Sequence, residues 1–152
     1  MNGLPAAEFA WQREGGRVAS KVQTDDDAGG PGDKGRLSRR LLAGFFIGGG
    51  VNHFAMPGPY RQIVPPRLRG QAKLVVEISG VAEVAGGLGV LLPATRRLSG
   101  LGLIALLVAV FPANLHMAHT PEEFPKIPRW ALYGRLPLQP LMIWWTWRST
   151  RR

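Results

Sequence analysis

The chain has 152 residues, a formal net charge of +9 and no cysteine. The missing cysteine excludes disulfides, thiolate metal sites and thiol redox chemistry by this chain alone. A mean hydropathy near zero averages two unlike segments: six of the ten acidic residues fall before Arg40, and long apolar runs fall after it.

The first segment, residues 1–36, reads as a disordered cytoplasmic tail. Its Asp25-Asp26-Asp27-Ala28-Gly29-Gly30-Pro31-Gly32-Asp33 stretch has no periodicity and too little apolar surface to offset the entropy of ordering. It also lacks the basic start and apolar stretch of a secretory signal. Residues 37–148 read as a membrane domain, and residues 149–152 as a basic C-terminal end.

Four spans follow in order. The first runs from about Leu41 to Phe54, borrowing Leu37 and Ser38, which is short against the roughly 20 residues needed to cross a bilayer. Its Gly44 and Gly48 form a small-xxx-small pair suited to close helix contact. Pro57, Gly58 and Pro59 end it, and the loop to Pro65-Pro66 is predicted to be extended or turn-like. The second span covers about Leu74 to Leu92. The third covers about Leu98 to Met117, with a kink expected at Pro112, which has no N–H and crowds the Val108 carbonyl. The fourth, about Trp130 to Trp147, is the least regular, because Arg135, Pro137 and Pro140 interrupt it. Trp144, Trp145 and Trp147 before Arg148 have the look of an aromatic belt at headgroup level. Spans two and three lack the charged stripe of a soluble helix. The predicted fold class is therefore all-α, an up-down-up-down transmembrane four-helix bundle.

The basic residues lie between apolar runs, which suits anionic lipid headgroups better than a nucleic-acid groove. With four spans, nine basic residues fall on the side of the termini and seven on the other. The balance places both termini in the cytoplasm of a multi-pass inner (plasma) membrane protein.

Such a path gathers the unusual polar groups into one leaflet, the outer one: Asn52 and His53, Glu77 and Glu83, Asn114, Arg135 and Gln139. These seven are the candidate ligand-binding residues. Glu83 is the sharpest, since a carboxylate inside a span is costly unless paired, protonated or reached by water. Gly80 and Gly87 project between Glu77 and Glu83, a groove that turns Glu83 into the bundle toward Arg135, His53 or Asn114. A ligand or proton role for Glu83 and a purely packing role both fit. Glu77 reads as a solvated or salt-bridged acid near the interface. His116 and His119 share a helical face but lack a second ligand pair, so no metal site is assigned. Gly86-Gly87-Leu88-Gly89 follows no strand and reads as packing glycine rather than a phosphate loop.

Gly50-Val51-Asn52-His53-Phe54 with Pro57, Ile63-Val64-Pro65-Pro66 and Ser79-Gly80-Val81-Ala82-Glu83-Val84-Ala85-Gly86-Gly87 are similar to segments of DoxX-like membrane proteins. Leu91-Leu92-Pro93 with Thr95-Arg96-Arg97, Val110-Phe111-Pro112-Ala113-Asn114 and Arg135-Leu136-Pro137-Leu138-Gln139 resemble the same pattern, over about Leu37 to Arg148. The resemblance implies a four-helix membrane fold and, for some members, association with quinone-linked redox enzymes. It implies no catalytic set.

Three functions follow. The first is a non-catalytic redox-associated subunit whose polar pocket holds a quinone-like head, with electrons supplied by a partner enzyme. The second is a small oligomeric transporter or proton-coupled carrier using Glu83. The third is a ligand-free membrane scaffold. Enzyme activity of the isolated chain ranks below all three.

Overall fold

The computed structural model describes residues 31–151, and all regular structure among them is helical. There are five α-helices: α1 (Pro31–Ala55), α2 (Pro57–Gln62), α3 (Ala72–Leu91), α4 (Arg96–His119) and α5 (Arg129–Thr150). Two 3-10 segments, Pro66–Gln71 and Pro121–Glu123, complete the chain path. Residues 1–30 of the tail expected to be disordered lie outside the described residues. Gly35–Arg152 form one compact unit, which holds everything discussed below except the first turn of α1.

Prolines set the breaks. Met56, ahead of Pro57, is pushed to φ −134°, ψ 68°, which ends α1. Pro65, ahead of Pro66, is extended at φ −54°, ψ 149°. Leu92, ahead of Pro93, is extended and ends α3, where the Thr95 hydroxyl donates to the Gly89 carbonyl at 2.9 Å. The first helix starts at Pro31, earlier than hydropathy places it, because proline suits a first turn and Asp33 complements the helix dipole there. Prolines inside helices behave differently. Both α4 and α5 run continuously through Pro112 and through Pro137 and Pro140, so the fourth helix is more regular than its composition predicts.

Glycines determine how α1 meets α3. A β-carbon on Gly50 would lie 2.6 Å from the Gly80 carbonyl oxygen, and one on Gly87 2.8 Å from Ile47 and 3.1 Å from the Ala43 carbonyl. The pair predicted for close contact, Gly44 and Gly48, instead faces away, with nothing within 4 Å. The α1 sequence carries glycines on two faces, and the face that also bears Ala43, Ile47 and Gly50 meets the α3 glycines. At the far end the Trp145 indole donates to Ser38 Oγ at 3.0 Å, and Ser38 and Ser149 hydroxyls share a 2.9 Å bond. Thr150 packs directly against Gly100.

Two apolar clusters hold the unit. Leu42 and Phe46 of α1, Val90 of α3, Leu103 of α4 and Met142 of α5 form one. Met117, Phe124 and Leu132 form the other, with Ile63 and Ile127 against it. Outside these clusters many large apolar side chains of the long helices are exposed. The stretch Pro66–Leu91 and the helix Arg96–His119 are each long and apolar enough to cross a membrane. Only 28% and 11% of their apolar windows are buried, whereas the core helix of a soluble protein would be mostly buried. The other two long helices miss that threshold because Lys34, Arg36, Arg39 and Arg40 open α1 and Arg129, Arg135 and Arg148 punctuate α5.

The two glycine faces make opposite predictions. Gly50→Ala forces a β-carbon against backbone and should destabilise by about 1–3 kcal/mol. Gly44→Ala enters open space and should be neutral, or stabilising by about 0.5–1 kcal/mol from the glycine entropy removed. Thermal unfolding of the two variants in detergent checks the pair.

Candidate ligand-binding cavity

A cavity of about 520 Å³ lies among the long helices, within the usual size of small-molecule sites. Each helix lines it with one face at helical spacing. From α1 come Phe46, Gly49 and His53; from α3, Val76, Ser79 and Glu83; from α4, Leu107, Val110 and Asn114; from α5, Arg135, Gln139 and Met142. The segment after α1 adds further wall, with Tyr60, Ile63, Val64, Pro65 and Leu68. The proline breaks that end α1 and reshape the following segment thus fold it against the cavity.

The polar groups fall into two sets. In the first, His53 Nδ1 stands 3.8 Å from Glu83 Oε2, close enough for an ion pair but too long for a hydrogen bond. This approach depends on glycine: a β-carbon on Gly49 would sit 2.8 Å from that oxygen, and one on Gly80 2.9 Å from His53 Cβ. His53 is only 9% exposed, yet its Nδ1 has no hydrogen-bond partner. Leaving such an atom unsatisfied costs about 1–3 kcal/mol. Tyr60 covers the imidazole with ring centroids 3.9 Å apart, and its hydroxyl accepts from Asn52 Nδ2 at 2.9 Å.

In the second set, Asn114 Nδ2 donates to Gln139 Oε1 at 2.7 Å, and Gln139 Nε2 donates to the Leu107 carbonyl. Leu107 directly precedes Val108, whose carbonyl loses its helical partner at Pro112. Arg135 lies one turn before Gln139 on the same face, and its Nη1 reaches Met117 Sδ at 3.7 Å.

Five of the seven candidate residues therefore line one cavity: His53, Glu83, Asn114, Arg135 and Gln139. Asn52 is not among the lining residues but orients Tyr60, which is. Glu77 also stands apart, paired with Lys73 across one helical turn at 3.9 Å. Its position six residues from Glu83 turns it to another side of α3. Of the three partners foreseen for Glu83, His53 is the one found beside it.

Two polar lining residues, Ser79 and Tyr60, are not among the candidates that the sequence offers. Ser79 precedes Glu83 by four residues, so the helical repeat alone would have found it. Tyr60 sits in the short helix α2, within the segment that the sequence predicts to be extended or turn-like, and hydropathy does not give its path.

Of the two histidines at the end of α4, His116 meets an acidic side chain outside the cavity. His116 Nε2 lies 3.7 Å from Glu123 Oε2, and the same oxygen accepts from Arg69 at 2.9 Å, joining the two 3-10 segments. Among the described residues no three His, Asp or Glu side chains gather as a metal site.

No curated protein and no solved structure matches the chain. Residues 42–150, which hold every position lining the cavity, match the family described as a domain of unknown function, DUF8561, and the chain belongs to that family.

Proposed function

We propose that this protein is a multi-pass inner-membrane protein, a transmembrane four-helix bundle formed by α1, α3, α4 and α5. It binds a small amphipathic molecule of the quinone type and serves as a non-catalytic subunit beside a redox enzyme. The observation that carries this reading is the buried His53 Nδ1, which makes no hydrogen bond, beside Glu83 at the wall of a largely apolar cavity. A cluster serving only as internal glue would pair its buried atoms with one another. An imidazole N–H can donate to a quinone carbonyl, and a carboxylate can accept from a quinol hydroxyl. Phe46, Val76, Leu107 and Met142 suit its ring and chain. Electrons come from the partner, since the chain has no cysteine to hold a cluster. The DoxX-like segments quoted above support the same assignment.

The reading also fixes an orientation. Arg39 feels the charges of Arg36 and Arg96, and Arg151 stacks on Trp147 at 4.5 Å from the ring. That basic end lies in the cytoplasm with both termini, and the cavity lies in the outer half. The absence of native cysteine makes single-cysteine labelling clean. In intact cells Glu122→Cys should react with an impermeant maleimide, and Arg97→Cys should react only after permeabilisation. Equal labelling of both in intact cells would contradict the topology.

Ligand binding is tested on the full chain in nanodiscs, with a short-chain quinone quenching tryptophan fluorescence. With the reduced quinol as ligand, removing the carboxylate by Glu83→Gln should weaken binding roughly tenfold, the scale of one hydrogen bond to a charged group. Unchanged affinity would count against the cavity as the quinone site.

A further inference from the structure

We infer that the bound molecule presents an anionic oxygen to Arg135, so that the ligand class is an amphipathic acid rather than a neutral lipid. The inference rests on the cavity being a ligand site, as proposed above, and adds the charge of the occupant. Arg135 is a half-buried wall residue of the cavity. The ion pairs among the described residues are His53–Glu83, Arg69–Glu123, Lys73–Glu77 and His116–Glu123. None includes Arg135. Its polar contact is the thioether of Met117, a weak acceptor that brings no charge.

The neighbouring amides do not fill the gap. Gln139 Oε1 already accepts from Asn114, and Gln139 Nε2 donates to the Leu107 carbonyl. Glu83 stands beside His53 instead. A guanidinium stays charged at any physiological pH and presents a planar fork of donors matched to a carboxylate or a delocalised oxyanion. A charge held among apolar helices is retained where a counter-charge meets it. Within the cavity that counter-charge falls to the ligand. Two sources share the chemistry: an ionised hydroxyl conjugated to a quinone ring, and the carboxylate of a long-chain acid. The polar groups at His53 and Glu83 then face the remaining oxygens of the head.

The test uses the full chain in nanodiscs of zwitterionic lipid. Three probes are titrated: an alkylated hydroxynaphthoquinone, which ionises, its neutral methyl ether, and oleate. The wild type should bind the hydroxynaphthoquinone at least roughly tenfold more tightly than the ether, the scale of one charge-assisted contact. Arg135→Gln should abolish that preference, with an unchanged helical circular dichroism spectrum and thermal midpoint showing that the variant is folded. Arg135→Lys should keep part of the preference. Competition by oleate, lost in Arg135→Gln, assigns the oxygen to a carboxylate lipid, and its failure to compete assigns it to the quinone head. Equal binding of acid and ether by the wild type, or equal weakening of both in Arg135→Gln, would overturn the inference while leaving the cavity reading intact. Binding of none of the three probes would remove both.

Discussion

The contact between the glycine faces of α1 and α3 is the constraint on which the site depends. Gly50 meets the Gly80 backbone, and Gly87 meets Ala43 and Ile47, at distances that leave no room for a side chain. At that separation the Glu83 carboxylate lies over Gly49 and beside His53, thirty residues away in sequence. Larger residues at these positions would push the helices apart. The imidazole and the carboxylate would then lose their shared geometry.

Around this contact the usual arrangement of a soluble protein is inverted. Much of the outward surface of α3 and α4 is apolar, with Ile78, Val81, Leu98 and Leu101 each more than half exposed. The polar groups with the most demanding hydrogen-bonding needs are inside. An apolar surround makes each such group costly unless satisfied, so the Asn114–Gln139–Leu107 chain and the Asn52–Tyr60 bond stabilise the positions they fix. His53 Nδ1 is the exception at the cavity wall. Two apolar clusters anchor the arrangement, and the Arg69–Glu123 pair joins the two 3-10 segments at the end where the cavity-lining loop lies.

Much of this was legible in the sequence, and its limits follow from what a one-dimensional pattern encodes. Hydropathy located the four long helices, and the helical repeat turned Glu83 into the bundle past Gly80 and Gly87, leaving three helices as possible neighbours. Proline identity located the breaks at Met56 and Pro65. The same repeat separates Ser79 and Glu83 by four residues, so Ser79 was recoverable. Which α1 glycines are used was not: Gly44, Gly48, Gly49 and Gly50 point in several directions, and only the partner helix selects among them. Tyr60 likewise depends on tertiary register, whereas the pairing of Glu77 with Lys73 follows from the helical repeat. The start of α1 at Pro31 was hidden because its first turns are polar, and hydropathy registers burial in apolar surroundings rather than helix formation.

The most direct test of the account is native mass spectrometry of the full chain after mild detergent extraction. The wild type should retain one small amphipathic molecule, and a variant with His53→Leu and Glu83→Gln should be released without it. Ligand-free wild-type protein, or equal retention by the variant, would contradict the claim that the glycine-built chamber is a binding site.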